Sequence, residues 1–301
     1  MTPPPLPSAT DPRARMKGIG LICLALVCFA LLDTTAKWLN GHMNTVQVIW
    51  ARFTGHFVLS FLIVNPWTSP GLVRTRRLKL QLARSALLLG STAFNFVALR
   101  YLQLDQTASI MFTAPFFVAA LAGPILGEWI DWKRWTAIGV GFAGILLVTR
   151  PGAGGIHPAA VFSVMAAGCF ALYSITTRIL ASHDRTDTTS FYSSVVGLLV
   201  SSVAVGWVWT TPASWTTMAG MLAVGAFGWI GHLILIVAHR YAPAPVLAPF
   251  SYSQIVWMSL TGALVFGDKP SSWTMAGAGI VIVSGLYLLS RERTPQPVDP
   301  T

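Results

Sequence analysis

Charge is the scarcest property of this sequence. Only 10% of its 301 residues are charged, and just 10 of them are Asp or Glu. An ordinary soluble domain carries roughly 25% charged residues, so a soluble chain of this length would lack the polar surface to cover its core. No stretch between Gly18 and Ser290 reads as an aqueous domain, which leaves a sensor or scaffold nothing with which to relay a signal. Cysteine is nearly absent. Cys23, Cys28 and Cys169 lie inside apolar runs without metal-type spacing and read as small apolar residues. There is no His-Glu-x-x-His and no Gly-x-Ser-x-Gly arrangement, so an intramembrane enzyme has no catalytic constellation to work with. His183 and Asp184 are adjacent in a loop rather than paired at membrane depth. The expectation is a protein that is not an enzyme, with no catalytic residues, no metal and no cofactor.

What the chain has in abundance is apolar length, with 54% hydrophobic residues and a mean hydropathy of +0.63. A bilayer core takes about 20 apolar residues per helix. Segments of that size fall at 18–38, 45–64, 80–100, 106–126, 133–150, 157–178, 189–209, 215–238, 244–266 and 272–290. Open sheet edges cannot face lipid, and barrel-type alternation is missing. The fold class expected is therefore an all-α membrane protein of ten transmembrane helices. The run after Arg13, Arg15 and Lys17 is too long for a cleaved signal segment and reads as a first helix behind a disordered tail at 1–17. A second disordered tail is expected at 291–301.

The net charge of +10 invites a nucleic-acid reading, but the basic residues occupy short loops instead of one continuous face. With the N-terminus inside, four of the 20 Lys and Arg residues fall outside (Lys37, Arg100, Arg150 and Lys269) and Arg52 falls within the second span. The remainder, Arg84 among them, fall inside. That is a strong positive-inside bias. It predicts both termini in the cytoplasm, a multi-pass protein of a bacterial-type inner (plasma) membrane, the lipid bilayer as partner and no nucleic acid.

The chain also repeats itself. Cys28–Leu39 (CFALLDTTAKWL) and Cys169–Leu180 (CFALYSITTRIL) match at six of twelve positions with a spacing of 141. At a spacing of 140, Ala98-Leu-Arg-Tyr101 matches Ala238-His-Arg-Tyr241, Gly127-Glu128 matches Gly267-Asp268 and Ala108 matches Ala248. Five spans per copy is an odd number, so the second copy must enter the membrane from the other side. Inverted repeats are a building plan of transporters, with the site near the midplane between the copies. The repeats are placed at 18–150 and 157–290.

The paired halves, the Ala-Leu-Arg-Tyr and Ala-His-Arg-Tyr ends, the Ala114-Pro115-Phe116 turn and the Gly-acid pairs resemble the EamA-type drug/metabolite transporter superfamily over about residues 18–290. The resemblance implies two EamA-like five-helix repeats and a carrier of metabolites or drugs, commonly amino acids and related small molecules. The sequence departs from the pattern at Asp268, where Glu is usual, and at Gln254-Ile255 in place of Ala114-Pro115. Helix nine is thus expected to break elsewhere, at Pro249.

Ionisable residues at membrane depth are costly and default to functional candidates. Asp33 in helix one and Arg52 in helix two are expected to pair, either as an outer gate or as a clamp for a zwitterion. Packing alone is the competing explanation. His56, one turn below Arg52, and His232 in helix eight are candidates for coupling transport to protons. Prolines in helices four (Pro115, Pro124) and nine (Pro245, Pro249) mark breaks that line cavities in transporters. Near them Asn95, Thr113, Trp229, Tyr252, Gln254 and Trp257 are the candidate substrate-binding residues. Glycines at 123, 127, 139, 141, 144, 277, 279 and 285 suit close helix contact, with helices five and ten as a candidate homodimer face. Trp67, Trp132, Trp135, Trp207, Trp209, Trp215 and Trp273 read as an interfacial belt. The function expected is secondary transport of a small organic metabolite, amino-acid-like or similarly polar, by alternating access, with protons as the candidate coupling ion. A channel or a non-transporting scaffold is the alternative.

Overall fold

The computed structural model describes residues 11–65, 67–102, 104–111, 113–127, 129, 131–149, 157–267, 272–273, 276, 279–280 and 283. Most of the predicted span at 272–290 lies outside them, as do residues 1–10, the tail at 291–301, Glu128 and Asp268. Residues 12–17, expected to be part of a disordered tail, are instead helical, because Asp11 and Pro12 start the first helix there. Among the described residues the protein is helical, without strands.

Helix α1 covers Pro12–Asn40, and its start is set by Asp11, whose carboxylate accepts from the Arg13 N–H at 2.9 Å, with proline at the first helical position. Asn44 caps α2 (Thr45–Ile63) in the same way. Helix α3 is Leu78–Tyr101. The fourth apolar segment is broken into α4 (Leu104–Met111) and α5 (Ala114–Leu126), and α6 follows at Trp132–Thr149. In the second half α7 is Ala160–Ala181, α8 is Thr186–Val205 and α9 is Trp215–Tyr241. The segment predicted at 244–266 is α10 (Ala244–Leu247), a 3-10 stretch (Ala248–Ser253) and α11 (Gln254–Phe266). Both breaks fall beside the expected prolines. Pro115 enters α5 in its first turn, where no backbone N–H is needed, and Pro249 lies in the 3-10 stretch. Among the described residues six helices (α1, α2, α3, α7, α8 and α9) are long and apolar enough to cross a membrane.

The packing exchanges partners between the halves. Helix α1 lies along α9 and α7 along α3, the two most extensive helix pairs. Helix α2 packs on α9 as α8 packs on α3, α1 meets α11 as α7 meets α5, and α2 meets α8. Polar contacts fix directions. Lys17, in the first turns of α1, bonds the Tyr241 hydroxyl at 2.9 Å, while Arg178, in the last turn of α7, donates to the His239 carbonyl at 2.8 Å. The start of α1 and the end of α7 therefore meet the same end of α9.

Repeated sequence features prove to be repeated caps. Tyr101 and Tyr241 are the last residues of α3 and α9, and the next N–H in each case returns to the carbonyl of Ala98 or Ala238. Gly127 and Gly267 end α5 and α11 with φ of 70° and 71°, the left-handed conformation that favours glycine. Lys37 and Arg178, aligned in the repeat, each donate to a carbonyl at the C-terminal end of a neighbouring helix, where the macrodipole favours cations.

Not every glycine packs as expected. Gly123 lies against the Trp129 ring, but Gly139 and Gly279 have open space where a side chain would be. Among the described residues those two glycines make no close helix contact. Backbones approach closely instead between α2 and α9, where a Cβ on Gly225 would come within 2.6 Å of the Gly55 Cα. All seven tryptophans assigned to the interfacial belt are exposed.

Candidate functional site

Asp33 lies seven residues before the end of α1, and Arg52 seven residues beyond the start of α2. Both line a cavity of about 90 Å³ together with Asn95 of α3, His232 of α9 and Gln254, which opens α11. The hydroxyl residues Ser91, Thr92 and Ser251 and the rings of Phe29 and Phe170 complete its character. Aspartate and arginine are held in mainly apolar walls because α1, α2 and α9 bury their other faces in the principal core around Leu26, Phe53 and Leu235.

The two charges do not pair directly, which corrects the expectation from sequence. Asn95 donates to Asp33 Oδ1 at 2.9 Å, and Gln254 Nε2 stands 3.5 Å from Oδ2. Arg52 turns instead toward α9, where its Nη2 meets His232 Nε2 at 2.7 Å. The physical reason is competition. The asparagine amide already supplies Asp33 with a donor, while Gly228 of α9 leaves room for the guanidinium stem. A guanidinium can only donate, so Nε2 of His232 accepts and the ring proton lies on Nδ1, 3.0 Å from Tyr173 Oη. Tyr173 in turn accepts from Arg84 Nη2 at 2.6 Å. One hydrogen-bonded chain thus joins α2, α9, α7 and α3.

Arg84 and Arg52 are both buried, yet they differ in satisfaction. Arg84 donates through Nε to Thr177, through Nη1 to Ser193 Oγ and the Thr189 carbonyl, and through Nη2 to Tyr173. Arg52 Nε and Nη1 have no partner among the described residues. A buried cation with free donors costs several kcal/mol unless a counter-charge is near. Asp33 across the cavity supplies the charge, while Arg52 Nε and Nη1 are enclosed with their donors unused.

A second polar knot closes the end of the bundle where α1 begins. The Asp184 carboxylate, in the turn between α7 and α8, accepts from the Thr75 hydroxyl, the Arg76 N–H and the Gln81 amide, and its carbonyl accepts from Arg240. Read in the sequence as a loop residue, it is in fact 4% exposed and ties loops of both halves together.

Comparison with known proteins fits this arrangement. The profile of the EamA-like transporter family matches twice, over residues 16–150 and 157–291. The chain belongs to the EamA-like transporter family. Among the relatives of this EamA-family chain is the S-adenosylmethionine uptake transporter of Rickettsia bellii, 27% identical over 280 residues that cover 92% of this chain and 94% of the relative. The riboflavin transporter of Rhizobium johnstonii is 27% identical over 298 residues (95% and 97%). The pseudopaline exporter of Pseudomonas aeruginosa is 24% identical over 278 residues (92% and 96%). A solved crystal structure superposes with a TM-score of 0.73 at 16% identity, covering 94% of this chain and 99% of the other, a likeness of fold.

Within this EamA-family site, Asp33, Arg52, Asn95, His232 and Gln254 are brought together, whereas other predicted residues stand apart. His56 is buried beside His232, ring centres 6.1 Å apart, but it is not among the described residues lining the cavity. Thr113 bonds the Ile110 carbonyl at the entry to α5. Trp257 packs on the principal core, and Trp229 is partly buried away from the lining. The side chain of Tyr252 lies outside the described residues. Sequence reasoning missed Tyr173 and Arg84. Arg84 had a signal, since it falls within the predicted span 80–100 even though its charge groups it with the inner loop.

Proposed function

We propose that this EamA-family protein is a secondary transporter that carries a small polar metabolite across the bacterial inner membrane by alternating access. The observation that carries the reading is the composition of the cavity wall. Asp33, Arg52 and Asn95 come from the first half, and His232 and Gln254 from the second. A solute bound there touches both halves, so rocking one against the other exposes it to either side. The bacterial relatives named for uptake of S-adenosylmethionine, transport of riboflavin and export of pseudopaline support a small organic substrate.

A carboxylate and a guanidinium with unpaired donors lining one cavity suit a solute bearing both an amine and a carboxylate once the surrounding helices part, so an amino-acid-like substrate is the class favoured. The cavity volume of about 90 Å³ is well below the roughly 300–1,000 Å³ of drug-sized ligand sites. Binding and release therefore require the helices around it to separate. The exchange of packing partners and the meeting of the α1 start with the α7 end support an arrangement of ten spans in two inverted halves, 18–150 and 157–290, with both termini cytoplasmic. The open faces at Gly139 and Gly279 leave room for a second copy of the chain. The hydrogen-bonded histidine and the Asp33 carboxylate make protons the favoured coupling ion.

The test is flux into proteoliposomes. A carrier gives saturable, competable uptake that Asp33→Asn and Arg52→Gln suppress. Flux linear in concentration and indifferent to competitors would point to the channel reading.

A further inference from the structure

The second cavity shares no residue with the first. It has a volume of about 520 Å³ and lies at the end of the bundle where α1 begins, between the α2–α3 loop (Arg74, Arg76) and the entry to α8 (Arg185, Thr188). Its charge is unbalanced. Asp184 in its wall is already occupied by Thr75, Gln81 and the Arg76 N–H. Arg185 shares Asp187 at 2.9 Å in a partly exposed pair, which water and salt screen and a competing anion exchanges readily. Arg74 and Arg76 are exposed, and neither side chain forms an ion pair among the described residues. Arg185 stands at the N-cap of α8 without a side-chain cap bond, so the first-turn N–H groups add positive potential on the side of Thr188.

Topology alone asks only that such arginines face the cytoplasm. It does not ask that they converge on a concavity. The surroundings of this concavity define its level in the membrane. Trp67 beyond the end of α2 is 80% exposed and stands edge-on to Phe61, the signature of an interfacial anchor. Leu62 and Ile63 at the end of α2, and Val73 next to Arg74 in the chain, are exposed apolar residues, and the Tyr192 hydroxyl holds the loop by donating to the Val73 carbonyl at 2.9 Å. Positive charge in a pocket with an apolar flank at the interface matches a lipid, whose phosphate and acyl chains need both. A soluble phosphate needs only the first.

We infer that this pocket binds the headgroup phosphate of an anionic phospholipid of the inner leaflet, with Arg74, Arg76 and Arg185 as its donors. The bound lipid bridges the α2–α3 loop of the first half to the start of α8 in the second, reinforcing the Asp184 knot that closes this end. Basic pockets between helices on the cytoplasmic side are suited to such headgroups.

The experiment compares melting temperatures of the purified full-length protein in detergent after adding phosphatidylglycerol, phosphatidylcholine or inorganic phosphate. The wild type, the R74Q/R76Q/R185Q variant and a charge-matched R13Q/R291Q/R293Q variant are measured side by side, with native mass spectrometry reading lipid retention. The expected result is stabilisation by phosphatidylglycerol beyond phosphatidylcholine, kept by the charge-matched variant, lost by the pocket variant, and accompanied by at least roughly tenfold weaker retention, the factor that goes with one lost contact to a charged group. Should the pocket variant fail to fold, R74Q alone, whose side chain holds no partner in the pocket, loses part of the increment. Equal stabilisation by the two lipids, an increment that survives R74Q and the pocket variant, or an equal loss in the charge-matched variant overturns the assignment. So does inorganic phosphate reproducing the whole increment, which would make the site one for soluble phosphate.

Discussion

A guanidinium removed from water needs partners for its charge and its five N–H donors. Arg84 and Arg52 meet that need differently, and the difference sorts their roles. Arg84 is bonded to four neighbours across α7 and α8, as a structural residue would be. Arg84→Gln should lower the melting temperature markedly, since breaking a buried charged network costs about 3–5 kcal/mol. Arg52→Gln should be milder in stability and severe in binding. Loss of a charge-assisted hydrogen bond of about 1.5–3 kcal/mol weakens a ligand roughly ten- to hundredfold. Thermal melts paired with uptake assays check both. Asn95→Leu takes the amide donor from Asp33 and should likewise raise the half-saturation concentration while the fold survives. Asp33 and Arg52 were legible in the sequence because ionisable residues at membrane depth are rare. Their partners were not. The Arg52 contact to His232 spans 180 positions, and no local pattern reports which way a long side chain turns.

At the scale of elements, hydropathy located the described spans closely, because a helix that must bury about 20 residues in lipid leaves few alternatives. The prolines marked where the fourth and ninth segments break. The Gly-acid pairs were legible as a repeat but not as caps. Gly127 and Gly267 owe their recurrence to the left-handed turn that ends α5 and α11. An alanine there adopts a conformation disfavoured by about 1–2 kcal/mol, so Gly267→Ala should lower the melting temperature modestly and leave substrate affinity unchanged. Alanine at Gly225 should act differently, since its Cβ would meet the backbone of Gly55 and push α2 from α9. The predicted outcome there is a loss of transport along with stability, because those helices carry Arg52 and His232. At Gly139 and Gly279 no described residue lies within contact distance, and composition gives no clue to which helix face meets a neighbour.

For the whole molecule, the partner exchange of α1, α9, α3 and α7 accords with the proposed pair of inverted five-span halves. The sequence repeat marked the two halves that the family profile also matches separately. It could not show that the cavity would draw charged and amide groups from both. If protons drive the cycle, wild-type uptake should respond to an imposed pH gradient and Asp33→Asn uptake should not, as measured in proteoliposomes with the gradient reversed as control. The central claim is a cavity between the halves that binds the transported solute through Arg52. Its most direct test is a ligand panel read by thermal stability. Melting temperatures of the full-length protein are taken across amino acids, S-adenosylmethionine, riboflavin and their uncharged analogues, for wild type and Arg52→Gln. A ligand of the native state raises the melting temperature by mass action. The account predicts a carboxylate-bearing compound that stabilises the wild type and fails to stabilise Arg52→Gln. Stabilisation of equal size in both proteins would contradict it.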